Sequence, residues 1–351
     1  MENLGSWQKQ LRNRIVDVTS LRNYVHITEK EALGITAAGA AFHWAITPYY
    51  ASLMDKFSEN CPIRMQAIPS IQEMHTTIGD KDPLQEEIQS PTPGLIHRYP
   101  DRVAFTVTSE CAVYCRHCTR KRFVGQLVKR ATRQSIQSGI AYIKETQAIR
   151  DVLITGGDPL LLSDGHLENI LRQLRSIDHV EIIRFGTRTL CTLPQRITNQ
   201  LADMLAKYHP IWINTHFNHP RELTEEAAQA AEKLLKAGIP LGNQNVLLKG
   251  INDDFGIVKT LLHGLLKMRI RPYYMYQCDR VTGTEHFWTP LTVGLDLIDQ
   301  LQGFTTGFAV PQFIVDSPIG KIPLHRTRLV ELGHKTAVLR NYDGNTITIP
   351  V

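Results

Sequence analysis

Short β-branched runs alternate with amphipathic helical patterns from residue 98 onward, and this alternation constrains the fold more than any other feature of the chain. The candidate strands cover 103–108, 151–155, 180–185, 211–215, 240–246 and 270–276. Helical patterns between them cover 135–146, 167–176, 194–208, 224–237 and 256–267. Strand–helix alternation predicts a parallel sheet with right-handed crossovers. We expect an α/β fold, either an open or partial barrel or, as the alternative, a doubly wound sheet.

The regions on either side of this alternation have a different character. Residues 1–95 are predicted to be mostly helical, with apolar residues at helical spacing in 7–16 and 32–50, followed by a proline-rich linker. Thr28 and Glu31 fit a capping box at the start of the second helical stretch. An apolar run at 308–315 precedes Asp316, and a turn at 342–345 separates two short strands. We therefore divide the chain into 1–95, 96–307 and 308–351.

Composition excludes several classes of protein. A charged fraction of 21% with 42% hydrophobic residues indicates an ordered globular chain. The net charge of +5 is scattered apart from 116–122, so we expect no nucleic-acid partner. The longest weakly polar stretch, 32–46, is too short to span a membrane. Six cysteines are too few for a disulfide scaffold, and no secretory pattern opens the chain, so we expect a reducing cytoplasm.

Three cysteines in a CxxxCxxC spacing, Cys111, Cys115 and Cys118, directly follow the first candidate strand. Thiolates suit soft metals, and iron–sulfur clusters are held mostly by cysteine sulfur. Three protein ligands would leave one iron open to a small molecule. A disulfide pair is one alternative. Another is a closed zinc site, which needs a fourth ligand from His117, Cys61, Cys191 or Cys278.

Other unusual residues also fall just beyond candidate strands. A glycine turn at 156–158 follows the second strand, and two histidines and an asparagine, at 216–219, follow the fourth. Gln244 ends the fifth strand, while Tyr276 and Asp279 end the sixth. Ligands bind at the carboxyl ends of the strands in parallel α/β folds. The sequence therefore predicts one site at this rim.

Several of these strings resemble the lysine 2,3-aminomutase family of radical S-adenosylmethionine (SAM) enzymes. They are CRHCTRKRF at 115–123, HRYPDR at 97–102, NQNVLLKGIND at 243–253 and RPYYMYQCD at 271–279. The resemblance covers roughly residues 5–350. It implies a partial (β/α)6 radical SAM barrel with an N-terminal helical region and a short C-terminal segment that carries a pyridoxal phosphate (PLP) lysine. It also implies three cofactors: a [4Fe-4S] cluster on Cys111, Cys115 and Cys118, SAM, and PLP.

The resemblance assigns a cofactor to each of several further residues. For SAM these are Gly156, Gly157, Asp158, Gln244, Tyr276 and His117. For PLP they are Arg98 and Lys321. Partial desolvation in a Pro/Gly-rich turn makes such a lysine a nucleophile toward aldehydes, although a plain surface charge is the alternative. The turn before Lys321 is two residues shorter than in the family and has Ile319 where glycine is expected.

The resemblance further implies a substrate site in which Arg120 holds an α-carboxylate. Asp279 and Asp316 would clasp a side-chain ammonium, because two neighbouring carboxylates need a cation between them. We predict an isomerase that converts L-lysine to L-β-lysine by 1,2-amino migration. Arginine, ornithine, glutamate and a lysine destined for a translation factor are alternative substrates, and a simple iron–sulfur electron carrier is the remote alternative.

The same resemblance implies partners and assembly. We expect an electron donor such as flavodoxin or ferredoxin, and a homo-oligomer. Longer members of the family carry a cysteine-rich zinc site in a C-terminal arm. No cysteine follows Cys278, so we do not expect that site here.

Overall fold

A computed structural model describes residues 6–75, 78–126 and 131–351, and its centre is a nine-stranded sheet. The strands follow one another in chain order, β2 to β8 running parallel and β1 and β9 pairing antiparallel at the edges. In a doubly wound sheet the spatial order of the strands reverses near the middle of the sheet. The order observed here therefore excludes that alternative and confirms the α/β fold. The strands are β1 (Leu95–Tyr99), β2 (Arg102–Thr106), β3 (Asp151–Thr155), β4 (Ile182–Gly186), β5 (Ile211–Thr215), β6 (Leu241–Leu247), β7 (Arg271–Gln277), β8 (Gln312–Val315) and β9 (Ile322–Leu324).

The predicted strands correspond to β2 to β7, with ends that differ by at most two residues. Three strands of the sheet were not predicted. β8 lies inside the apolar run at 308–315, which gave no alternation to identify it. β1 and β2 form a hairpin whose turn falls within the HRYPDR string, so Arg98 lies on a strand and not before one.

Helices cover one face of the sheet. Each of the five helical patterns predicted between the strands contains a helix, and helices at Thr189–Thr192 and Leu291–Leu301 are additional. The Thr28–Glu31 capping box is confirmed, with the Glu31 amide donating to Thr28 Oγ1 at 3.2 Å and the Thr28 amide to Glu31 Oε2 at 2.9 Å. The α-helices are α1 (Trp7–Arg12), α2 (Val18–Leu21), α3 (Glu29–Ala41), α4 (Pro48–Ser52), α5 (Pro62–Ala67), α6 (Arg133–Glu145), α7 (Asp164–Arg175), α8 (Thr189–Thr192), α9 (Asn199–Ala206), α10 (Glu225–Lys236), α11 (Phe255–Lys267) and α12 (Leu291–Leu301). Short 3₁₀ helices lie at Ile71–Met74, Pro159–Leu161, Pro194–Arg196, Pro220–Glu222, Glu285–Phe287 and Gly307–Ala309.

The two faces of the sheet differ in burial. Alternate residues such as Phe105, Ile154 and Phe185 are fully buried in the main apolar core, which the N-terminal helices share. The intervening residues are half-buried and often polar, and across this face Arg184 Nε donates to Asp151 Oδ1 at 2.8 Å. The helices therefore cover the outer face and leave a polar inner face beneath the rim.

Side chains bring the two ends of the sheet together. The Lys321 amide donates to the Tyr99 hydroxyl at 2.8 Å, and Arg98 Nη1 donates to Asp316 Oδ1 at 2.8 Å. Gln89 Nε2 also donates to the Pro318 carbonyl at 3.0 Å. β1 thus meets the turn between β8 and β9. The sheet curls into the expected partial barrel, with a seam of contacts between its first strand and the turn that follows β8.

A separate three-stranded antiparallel sheet forms the C-terminal part of the chain. It contains the predicted strand pair around 342–345 and one strand more: β10 (Leu329–Leu332), β11 (Thr336–Arg340) and β12 (Thr346–Pro350). Most of its side chains are exposed. Across the three described ranges, no helix is long and apolar enough to cross a membrane.

Candidate active site

The loop after β2 carries the three cysteines as half-buried free thiols. Burial raises the pKa of Cys118 to about 11, and the nearby Cys115 adds to this shift. Burial also raises the pKa of Cys111, with Asp158 and the other two thiols contributing in the same direction. The three sulfurs are therefore close enough to repel one another as thiolates. A bound cationic iron centre would relieve that repulsion, so the donor set fits an iron–sulfur cluster.

A buried charge cluster holds this loop in place. Glu73 accepts from Arg116 Nε at 2.9 Å and from Lys121 Nζ at 2.6 Å, and the Glu73 side chain is completely buried. Burial lowers the pKa of Lys121 to about 8. Because buried charges must be paired, these contacts fix the loop to the 3₁₀ helix that contains Glu73. Two basic residues of the 116–122 run thus serve the internal structure.

The glycine turn after β3 packs against the same loop. The Gly157 amide donates to the Thr108 carbonyl at 2.6 Å, and the Asp158 amide donates to the Glu110 carbonyl at 2.7 Å. A Cβ on Gly156 would lie 2.2 Å from the Thr108 oxygen, and Gly156 has a φ of +136°. Glycine is required at position 156 because the loop that carries the cysteines passes so closely. The structure gives this turn a role in positioning the loop, and its contact with SAM stays a prediction.

Buried polar atoms without a partner gather near the cysteines and the ends of β5 and β6. His117 Nε2 lies 3.3 Å from Asn218 Nδ2, and the His117 and His216 rings are 5.7 Å apart. Burial lowers the pKa of His216 to about 3, so its ring is neutral. A ligand with many polar groups, such as SAM, could supply the missing partners. Among the described residues, the unpartnered atoms in this region include Ser109 Oγ, His117 Nδ1, Thr215 Oγ1, His216 Nε2 and Asn245 Nδ2. The prediction that Gln244 ends its strand is wrong: β6 continues to Leu247, and Gln244 lies in the middle of it on the half-buried face.

Lys321 lies at the seam between the ends of the sheet. Its Nζ is 3.1 Å from Asp316 Oδ2, while Asp316 Oδ1 accepts from Arg98. The Tyr99 and Tyr276 ring centroids are 5.9 and 5.8 Å from Nζ. A primary amine, a guanidinium group and two aromatic rings fit an aromatic aldehyde phosphate such as PLP. The predicted PLP residues Arg98 and Lys321 therefore come together, and Tyr276, predicted for SAM, lies beside them.

Three consecutive residues join the cysteine loop to the residues around Lys321. Cys118 is followed by Thr119, whose hydroxyl donates to Asp279 Oδ2 at 2.6 Å. Arg120 follows, and its Nη1 donates to Thr155 Oγ1 at 3.2 Å. Burial raises the pKa of Asp279 to about 6, with Asp316 raising it further and Lys321 opposing the shift. The two predicted acids are thus within electrostatic reach of each other and of the lysine.

The sequence interpretation missed two residues that contact the predicted site residues. Glu86 accepts from Arg120 Nε at 3.1 Å and Nη2 at 2.9 Å, and also pairs with Arg122. Arg188 places its Nη1 2.9 Å from Cys115 Sγ. Applying the rim rule to the third candidate strand would have found Arg188. The sequence signal for Glu86 is weaker. Glu86 is one of two neighbouring acidic residues in the linker, and the basic run that it contacts, 116–122, lies far along the chain.

The structure also bears on the alternatives for the cysteines. All six cysteines are free, so the disulfide alternative is wrong. In the part of the chain that the structure describes, no group of three or more His, Cys, Asp or Glu side chains could hold a single metal ion. The other three cysteines are buried in apolar clusters, as packed thiols are: Cys61, Cys191 and Cys278.

Comparison with known proteins identifies the family. Residues 105–257 match the Radical SAM superfamily, and residues 298–350 match the family described as Lysine-2,3-aminomutase. The chain is 51% identical to L-lysine 2,3-aminomutase of Fusobacterium nucleatum, over 98% of this chain and 81% of that protein. It is 49% identical to the L-lysine 2,3-aminomutase of Acetoanaerobium sticklandii, over 98% and 84%. It is 47% identical to glutamate 2,3-aminomutase of Clostridioides difficile, over 99% and 82%.

These matches span nearly the whole chain, including both the cysteine loop and the segment around Lys321. Membership of the radical SAM superfamily implies a [4Fe-4S] cluster and SAM. The chain belongs to the lysine 2,3-aminomutase family of radical SAM proteins.

Proposed function

We propose that this protein converts L-lysine to L-β-lysine by 1,2-amino migration and uses PLP together with the cluster and SAM. The observation that carries the proposal is the joining of the cysteine loop to the Lys321 group through Thr119 and Asp279. Relatives that are about 50% identical and named L-lysine 2,3-aminomutase support it. A simple electron carrier would leave Lys321 and both acids without a role.

In this proposal each cofactor has its own residues. The cluster and SAM supply a carbon-centred radical, and PLP supplies a conjugated ring that carries the migrating nitrogen. Cys111, Cys115 and Cys118 hold the cluster. Lys321 holds PLP through its Nζ, and Arg98 supplies the cation for the phosphate. Asp316, 3.1 Å from Nζ, can stabilise the protonated amine.

Arg120 is suited to bind the α-carboxylate of the substrate because its other contacts leave N–H hydrogens of the guanidinium available. A guanidinium has five N–H hydrogens. Glu86 takes the edge formed by Nε and Nη2, and Thr155 accepts one bond from Nη1. One hydrogen remains on each Nη atom, and such a fork binds a carboxylate with two parallel hydrogen bonds.

The two acids favour a cationic side chain at the other end of the substrate. Asp316 raises the cost of ionising Asp279, and an ammonium group between the two acids would remove that cost. A glutamate side chain would place a third carboxylate beside them, close to Glu86 as well. Charge repulsion therefore favours lysine over glutamate, although a glutamate-specific relative is 47% identical.

The setting of the reaction follows from the cofactors. We infer an electron donor of the flavodoxin or ferredoxin class and a reducing cytoplasm, because a cluster with an open iron must be kept from oxygen and all six cysteines are free. We also propose a homo-oligomer.

Anaerobically reconstituted protein tests the proposal directly. Lysine, arginine, ornithine and glutamate are each supplied with SAM, PLP and a reductant, and the products are identified by mass spectrometry. We expect β-lysine, loss of the PLP absorption band in Lys321→Ala, and no such loss in the exposed control Lys335→Ala. SAM cleavage without isomerisation of any amino acid would overturn the proposal.

A further inference from the structure

Arg188 has no assigned role in binding SAM, PLP or substrate, yet its guanidinium contacts a cluster cysteine. We propose that Arg188 raises the reduction potential of the iron–sulfur cluster through an N–H···S hydrogen bond from Nη1 to Cys115 Sγ. The inference rests on the proposed function only in that Cys115 is a ligand of the cluster. The Nη1–Sγ distance is 2.9 Å, and the arginine side chain is 9% exposed.

The remaining donors of Arg188 are fixed by other buried groups. Nε donates to the His216 carbonyl at 3.1 Å. Nη2 contacts Gln66 Oε1 at 2.6 Å, Glu222 Oε1 at 2.6 Å and the Tyr50 hydroxyl at 3.1 Å. The guanidinium plane therefore cannot rotate freely, and Nη1 is directed at the sulfur before any cluster binds.

The Arg188 guanidinium lies between a carboxylate and a cluster cysteine. Burial opposes ionisation of Glu222, but Arg188 together with the hydroxyl and amide donors lowers its pKa, so the carboxylate is charged. Glu222 lies against Nη2, and Cys115 lies against Nη1. The cluster consequently has the positive end of a buried ion pair beside it, in a region where low polarisability strengthens electrostatic effects.

The physical consequence follows from the charge of the cluster. Reduction adds one electron, so a nearby cation and a hydrogen bond to sulfur stabilise the reduced form more than the oxidised form. Hydrogen bonds to the sulfurs and the net charge are among the main determinants of iron–sulfur potentials. Arg188 is thus a positioning residue with an electrostatic effect, and it does not contact the reacting atoms of the substrate.

The rival interpretation is purely structural, since Arg188 also joins β4 to α4 and α5 through Tyr50 and Gln66. The potential of the cluster separates the two interpretations. Redox titration followed by EPR detects only assembled clusters, so incomplete iron loading of a variant does not hide the result. Wild-type protein that forms a cluster and cleaves SAM verifies the underlying site independently of this titration.

Three variants make the test specific. In Arg188→Gln the cation is lost, whereas in Glu222→Gln the cation stays and its counter-ion is lost. The control Arg175→Gln removes another guanidinium, one that donates to the carbonyls of Val180, Glu181, Tyr208 and Pro210. Those carbonyls precede β4 and β5, at the end of the sheet opposite the cysteine loop.

We expect the ratio of reduced to oxidised cluster in Arg188→Gln to fall about tenfold at a fixed poise, equivalent to about 59 mV for one electron. Glu222→Gln should shift the potential in the opposite direction, and Arg188→Lys should restore part of the wild-type value. The Arg175→Gln potential should equal wild type. An unchanged potential in both Arg188→Gln and Glu222→Gln would overturn the proposal.

Discussion

Arg98 Nη1 and Asp316 Oδ1 lie 2.8 Å apart across the seam of the barrel, although the two residues are 218 positions apart in the chain. The first strand of the sheet and the turn after its last parallel strand therefore share one ion pair. Lys321 contacts the same carboxylate at 3.1 Å. The PLP site that we propose is consequently built from both ends of the sheet, and it forms only when the sheet has curled.

Arg98→Gln should weaken PLP binding about tenfold or more, because a hydrogen bond to a charged group contributes roughly 1.5–3 kcal/mol. Titration of the PLP absorption band measures this change. Arg102→Gln is the matched control, since Arg102 stacks over Tyr99 at 3.8 Å and its ion pair is with the neighbouring Asp101. Equal PLP affinity in Arg98→Gln and wild type would contradict the assignment of Arg98.

Asp279 should make lysine binding depend on pH. Its pKa is raised to about 6, so the acid is protonated below that pH and cannot attract an ammonium. Lysine binding favours the carboxylate, and at pH about 5.5 binding should release a proton that is not released at about pH 8. Calorimetry in two buffers with different ionisation enthalpies measures this release. Asp279→Asn should abolish it, whereas the exposed control Asp343→Asn should retain it; proton uptake by wild type would contradict the prediction.

Glu86→Gln should raise the KM for lysine several-fold. The charged partner at Arg120 Nε and Nη2 is lost, so the guanidinium is less well held. Lysinamide, which lacks the α-carboxylate, should bind equally to the variant and to wild type. Glu87→Gln removes the adjacent, largely exposed acid and serves as the control. An equal loss of affinity for lysine and lysinamide would show that Glu86 supports the fold and does not position Arg120.

Gly157→Ala should reduce cluster loading. The added Cβ would lie 2.4 Å from the Glu110 carbonyl oxygen, which forces the cysteine loop to move, and overpacking of this kind costs about 1–3 kcal/mol. Iron and sulfide analysis with thermal unfolding measures both effects. At Gly165 on α7 an added Cβ meets nothing within 4 Å, so Gly165→Ala should keep full iron content and equal or higher stability. Full loading in Gly157→Ala would mean that the loop tolerates the displacement.

The central strands could be predicted because each is a short β-branched run followed by an amphipathic helix, and burial of one face enforces that pattern. β1 was missed because its residues alternate weakly and its partner β2 is antiparallel. The motifs singled out the cysteines, Lys321 and both acids as candidates, and the structure brings Lys321 and the acids together. Their partners could not be predicted in the same way, since Glu86 meets Arg120, and Arg188 meets Cys115, only through the tertiary fold. The roles of Gln244 and Asp158 toward SAM stay predictions.

Cys118, Thr119 and Arg120 are consecutive in the chain, and this has a consequence for how oxidation inactivates the protein. These residues contact, in turn, the proposed metal centre, the acid at Asp279 and the pocket for the α-carboxylate. Oxidative loss of iron would remove one anchor of the backbone that also presents both ends of the amino-acid pocket, while the pairs of Glu73 with Arg116 and Lys121 remain. Air-damaged protein should therefore bind the amino acid more weakly as it loses its radical chemistry.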